Sequence, residues 1–295
     1  MKTRSLLLLC CWLPLAWGQE ARPPEVVSLL GKPYYANPAD DDVRAAEKAL
    51  SEKPDDPERM IAAARAYDRV LQFSRSIPLY TRVIGLLPDD VRAYRYRGHR
   101  YISTRKFAQA AADLEKAERI APDSFDVLYH LGLAYYLEGR FGAAADAYGR
   151  CLDYRGPASG RMPAEWRSCT ALDDDSRVAM MNWHYAALRR AGRDDRARRL
   201  LEGVRPDMAV KENIAYLQAL LYYKGERIES ALAEAKLAGS SMAALAYPIA
   251  NFALIRGDRA RACELFRKLV ADDSVWNSFG FIAAEAELAR PGTCK

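Results

Sequence analysis

The chain of 295 residues is poor in the groups that usually announce chemistry. It has three histidines, His99, His130 and His184, each far from the others in sequence. No H-E-x-x-H, G-x-S-x-G, Walker or dinucleotide fingerprint occurs, so the metalloprotease, serine-hydrolase and nucleotide-binding patterns are absent. No C-x-x-C pair exists, which removes the zinc-ribbon and thioredoxin-like readings. The aspartates at 40–42 lack the alternation of a calcium loop and suit the start of a helix instead. Charge of one sign is also scarce. The formal net charge of +5 falls to +3 once a leader holding Lys2 and Arg4 is removed, too small an excess to select nucleic acid or a membrane surface. Beyond the leader, no apolar run is long enough to span a bilayer. These absences give the expectation of no catalytic residue, no metal, no cofactor, no nucleic-acid partner and no membrane span.

Residues 1–18 read as a signal peptide. Lys2 and Arg4 precede the apolar run Leu6–Trp17, and Ala16-Trp17-Gly18 offers a small-x-small cleavage site. An exported protein, periplasmic or extracellular, is expected. Four cysteines remain after cleavage, and an even number in an oxidising compartment permits two disulfides. The expected pairs are Cys151 with Cys169 and Cys263 with Cys294. The first would hold an insertion against the helix before it, and the second would tie the C-terminal tail to the last helix pair.

The middle of the chain is periodic. Pro54-Asp55-Asp56 recurs as Pro88-Asp89-Asp90 and as Pro122-Asp123-Ser124, at steps of 34 residues. Within each step Tyr67 answers to Tyr101 and Tyr135, Phe73 to Phe107 and Phe141, Gly98 to Gly132, and Ala110 to Ala144. A 34-residue period carrying this pattern resembles the tetratricopeptide repeat (TPR), a helix–turn–helix unit. Residues 91–124 show it best. There Tyr94, Gly98 and Tyr101 occupy the aromatic–small–aromatic positions of helix A, and Ala110, Leu114, Ala117 and Pro122 those of helix B. Arg97 departs from the pattern, where leucine is usual.

The implied fold class is all-α, a right-handed solenoid (α-α superhelix) of antiparallel helix pairs with almost no strand. Its expected organisation is a signal peptide at 1–18, a linker at 19–42 that drapes over the first helix, and repeats over 43–151. An insertion at 152–177 follows, where the proline mark fails and Gly, Pro and Ser accumulate. Looser helix pairs over 178–271 (178–191 with 195–204, 211–224 with 228–237, 242–255 with 259–271) precede a capping helix and tail at 272–295. Pro78 is expected near the start of a helix B, where a missing donor costs little.

In TPR proteins helix A lines a concave groove that receives peptides. Carried over, the resemblance implies a groove of Arg65, Arg95, His99, Tyr129, Leu133 and Tyr136, suited to a peptide bearing carboxylates beside apolar groups. The basic clamp with which some TPR modules hold chaperone C-termini is missing, because its positions hold Ile61, Arg65, Tyr96, Asp126 and His130. The array also looks like a class of exported TPR proteins, and faintly like TPR lipoproteins that act as envelope adaptors. The implied function is a non-catalytic scaffold or adaptor for a protein or peptide. Two alternatives are an envelope enzyme whose catalytic loop is 152–177 and a structural component of a larger assembly. The sequence leaves the oligomeric state open.

Overall fold

The structure, a computed structural model, describes residues 23–227 and 238–294. Among them lie thirteen α-helices and one two-stranded hairpin, β1 Val26–Val27 with β2 Pro33–Tyr34. The helices are α1 Asp41–Glu52, α2 Pro57–Arg69, α3 Phe73–Leu86, α4 Val91–Ser103, α5 Phe107–Ile120, α6 Phe125–Leu137 and α7 Phe141–Leu152. After the insertion come α8 Asp174–Arg190, α9 Asp194–Glu202 and α10 Ile214–Lys224, then α11 Gly239–Ile255, α12 Arg259–Val270 and α13 Phe279–Ala289. The signal peptide and the helix expected at 228–237 lie outside the described residues.

The repeated Pro-Asp mark has a local physical cause. Its third residue caps helix A: Asp56 accepts from the Glu58 amide, Asp90 from Arg92 and Ser124 from Val127. Each cap satisfies a backbone donor that the first helical turn leaves without a partner. Asp40, first of the aspartate run, does the same for α1 through the Val43 amide at 2.9 Å.

The turn between helices A and B also repeats. It places one residue at positive φ, namely Leu71, Arg105, Gly139, Gly192, Gly225 and Gly257 in successive pairs. Four of the six are glycine, which enters the left-handed region without strain, whereas Leu71 and Arg105 do not have that freedom. Inside each pair, small residues bring the helices together. A Cβ on Gly98 would meet the Leu114 side chain at 2.8 Å, and one on Gly132 the Tyr148 ring at 2.5 Å. Arg97 is accommodated by a bidentate ion pair with Asp113 on α5, both contacts at 2.7 Å.

Four sequence expectations need correction. Residues 23–40 do not drape over α1. The hairpin crosses the α2–α3 turn, where Glu25 receives the Ser74 amide and hydroxyl, and Tyr34 stacks on Trp276 at 5.1 Å. Apolar Val26 and Tyr34 find burial there that the polar α1 does not offer. Second, α8 begins at Asp174, inside the expected insertion, because Asp173 caps it through the Ser176 amide. Third, Pro78 is the sixth residue of α3 and not in its first turn. Fourth, the segment 272–295, expected as a capping helix and tail, opens with a 3₁₀ turn at Asp273–Val275 before α13, which Ser278 caps.

The insertion is tied down along its length. Cys169 is bonded to Cys151, and its amide donates to the Asp123 carbonyl at 2.7 Å. The Phe125 amide donates to Arg167, and Trp166 lies edge-on to Tyr96 at 5.8 Å. The second disulfide joins Cys263 on α12 to Cys294.

Candidate functional site

Helices α2, α4, α6, α8, α10 and α11 form the inner layer of the array, and the chain fills much of its own concavity. Trp183 on α8 stacks on Tyr247 of α11 at 5.4 Å, and Tyr136 on α6 meets both rings edge-on. The Tyr247 hydroxyl donates to that of Tyr136 at 2.8 Å. Tyr129 accepts from the Trp183 indole at 3.1 Å and contacts the Tyr216 hydroxyl at 3.4 Å.

The expected groove therefore divides. Leu133 and Tyr136 are fully buried, and Tyr129 nearly so, so these three form core and offer no surface to a peptide. Trp183 of α8 and Tyr247 of α11 cover Tyr136, and the start of helix α13 brings Phe279 to 5.2 Å from His99 and 6.2 Å from Tyr129. Arg95 is also engaged. It pairs with Asp126 at 3.1 Å, and its guanidinium lies over the Tyr96 and Trp166 rings. Arg65 remains exposed, with its guanidinium 5.4 Å from the Tyr96 ring and no ion pair among the described residues. His99 is half-buried, its ring 4.5 Å from that of His130. The His130 Nδ1 is 2.6 Å from the Asp126 carbonyl, and burial, with the Arg95 charge adding to it, holds this imidazole well below the usual histidine range.

What stays open beside His99 is a cleft of about 350 Å³. The N-terminal ends of α10, α11 and α13 border it with Asn213, Ser240, Ser241, Asn277 and Ser278, and Phe279 and Tyr216 supply its apolar wall. Short hydroxyl and amide side chains both donate and accept, so this lining matches the alternating donors and acceptors of a peptide backbone. Sequence reasoning missed α13 as the filler of the groove. Its signal was present: apart from Glu285 and Glu287 the segment FGFIAAEAELA is apolar all round, and such a helix belongs in a core. Gly280 to Leu288 are buried without exception.

Among the described residues no three His, Cys, Asp or Glu side chains are placed to hold a metal ion, and no helix is long and apolar enough to cross a membrane. Cys169, the one thiol of the insertion, is bonded.

Stacked helix pairs, the first three with capped starts 34 residues apart, define an α-solenoid of the kind that serves as a protein-interaction scaffold. The chain carries a tetratricopeptide repeat. Residues 98–139 match the family model of the TPR repeat. An 84-residue stretch is 33% identical to the small glutamine-rich tetratricopeptide repeat-containing protein 2 of Saccharomyces cerevisiae, covering 28% of this chain and 24% of that protein. The chain thus spans about a quarter of the length of the curated relative it matches. The fold is similar to a tetratricopeptide repeat protein from Parabacteroides merdae, with a TM-score of 0.52 at 14% identity over 82% of this chain and 90% of that one. A second solved structure, YrrB, described as a TPR protein with an unusual peptide-binding site, aligns over 79% of this chain and 96% of its own, with a TM-score of 0.46 at 16% identity.

Proposed function

We propose that this protein is an exported, non-catalytic scaffold that holds a protein or peptide partner along the open part of its inner surface, from Arg65 past His99 into the adjoining cleft. The observation that carries this reading is the cleft itself, which is left open where the rest of the concavity is packed shut. Its polar lining suits a peptide backbone, and Arg65, exposed and with no ion pair among the described residues, suits a carboxylate on the same partner. The leader at 1–18 and the two bonded cysteine pairs support an oxidising, exported setting.

Pull-down from the native cell envelope with the mature chain tests it. Asn277→Trp, which fills the cleft, and Arg65→Ala should each reduce recovery of the partner, whereas Lys116→Ala on the outer face should not. Equal recovery with all three variants would place the partner elsewhere. Turnover of any substrate in a broad hydrolase panel, abolished by changes in the 152–177 segment, would replace the scaffold reading with an enzyme.

A further inference from the structure

A second cavity, of about 580 Å³, lies between α7, α8 and α9. Its lining comes from the end of α7, from α8 and α9, and from the segment after α9. It shares no residue with the cleft beside His99.

At its wall stands His184. Aligning the inter-helix glycines places His184 where the third repeat has Leu131 and the second has Arg97. Leu131 is fully buried, as an apolar residue facing helix B should be. Arg97 is charged there but is matched by Asp113 on its own helix B. His184 is only 4% exposed, and neither Nδ1 nor Nε2 has a partner among the described residues. A buried imidazole with two idle nitrogens carries a desolvation cost that a hydrogen-bonding ligand would relieve.

The rest of the lining says what kind of ligand. Five arginines, Arg155, Arg177, Arg196, Arg199 and Arg205, face two aspartates, Asp153 and Asp174. Arg205 pairs with Asp207, while Arg155 and Arg177 donate to backbone carbonyls. Arg196 and Arg199 are exposed and make no ion pair among the described residues. Beneath the arginines, Met181, Leu188 and Met208 form a buried apolar floor. The Cys151–Cys169 bond fixes the wall, since Leu152, Asp153 and Arg155 follow Cys151 directly.

We infer that this cavity binds a small organic oxyanion, a carboxylate or phosphate carried on an apolar body. The anion would lie between Arg196, Arg199 and the His184 N–H, and the apolar part on the methionine and leucine floor. A cavity of this size matches a small-molecule ligand.

Calorimetric titration of the mature, oxidised chain tests the inference with four probes: phenyl phosphate, phenylacetate, inorganic phosphate and benzyl alcohol. One of the two aromatic anions should bind saturably and about fivefold or more tighter than inorganic phosphate and than benzyl alcohol, and the tighter of the two identifies the headgroup. Arg196→Ala and Arg199→Ala should each weaken that binding about fivefold, the scale of one charge-assisted contact. Both side chains are exposed, so the thermal midpoint should stay unchanged. His184→Gln should weaken binding too, and the arginine variants decide the matter if it fails to fold. No saturable binding of either aromatic anion, equal binding of benzyl alcohol, or indifference to both arginine changes would overturn the assignment.

Discussion

Arg105 and Glu285, 180 residues apart, form a buried ion pair that joins the second repeat to the C-terminal helix. The guanidinium donates to both carboxylate oxygens at 3.2 and 2.8 Å and to the Trp276 carbonyl at 2.9 Å. Glu285 also receives the Leu29 amide, so N-terminal hairpin, repeat and C-terminal helix meet at one carboxylate. The same helix carries Glu287, buried beside Arg190 at 3.0 Å. Two carboxylates on α13 thus hold repeats two and four. This explains why Arg105 stands at positive φ in a turn where later repeats use glycine. The left-handed backbone costs roughly 1–2 kcal/mol for an L-residue, less than the roughly 3–5 kcal/mol lost when one partner of a buried pair is removed.

Breaking that pair from one side should be severe. Glu285→Ala leaves a buried, uncompensated guanidinium, and urea unfolding should show a loss of about 3–5 kcal/mol. Arg105→Gly relaxes the turn but strands Glu285, so it should also destabilise. A stability gain in Arg105→Gly would mean that the pair does not hold the closure.

Acid should weaken the fold through its buried histidines. Burial is the largest cause holding His184 down to about 4, and the Arg196 charge acts in the same direction. His130 is lowered by burial as well. Below the unfolded value near 6.5 the unfolded chain therefore binds more protons than the folded one, and stability falls as pH drops. For His184 the loss should run from about pH 6.5 to about 4, at about 1 kcal/mol per pH unit. Urea midpoints at pH 7, 6 and 5 measure it, and His184→Gln should flatten the profile if the variant folds.

Close backbone approach makes Gly280 sensitive. A Cβ there would sit 2.2 Å from the Ala243 carbonyl oxygen, a backbone atom that cannot swing aside. Gly280→Ala should cost at least the roughly 1–3 kcal/mol typical of overpacking. Gly85→Ala is the control. Gly85 lies in α3 with open space around its Cβ position, and the change should stabilise by about 0.5–1 kcal/mol. Thermal melts of the two variants should move in opposite directions.

The disulfides should contribute comparably. They close loops with sequence separations of 18 and 31 residues, for which the chain-entropy relation gives about 3 and about 4 kcal/mol. Cys151→Ser with Cys169→Ser should also raise proteolysis within 152–173, because the loop loses its anchor. Cys263→Ser with Cys294→Ser should leave that segment protected. Equal cleavage in both double variants would show that the hydrogen bonds around Asp123 and Phe125 hold the insertion unaided.

The repeat class was legible because it is written in short-range terms. The helix caps Asp56, Asp90 and Ser124, the glycine turns at 139, 192, 225 and 257, and the small–large matching of Gly98 with Leu114 recur at fixed spacing. Each depends on residues within one repeat, so a single sequence suffices to see them. The groove was only partly legible. Helix periodicity puts Tyr129, Leu133 and Tyr136 on the inner face but says nothing of what else reaches that face. Spacing also puts Arg95 and Arg65 on one surface, though Asp126 and Trp166 engage only the first.

By itself the sequence determined the helix pairs of the first three repeats, their starts and their turns, since these follow from caps, glycine and side-chain size acting over a few residues. Only the tertiary structure decided that the array closes on itself. That closure rests on Arg105 with Glu285, Arg190 with Glu287, and Tyr34 with Trp276, pairs 97 to 242 residues apart. No local pattern fixes such partners, because the angle at which successive pairs stack sets where α13 arrives. The same stacking leaves the cleft beside His99 open and, among the described residues, the His184 ring nitrogens without a hydrogen-bond partner, which one repeat read alone does not reveal.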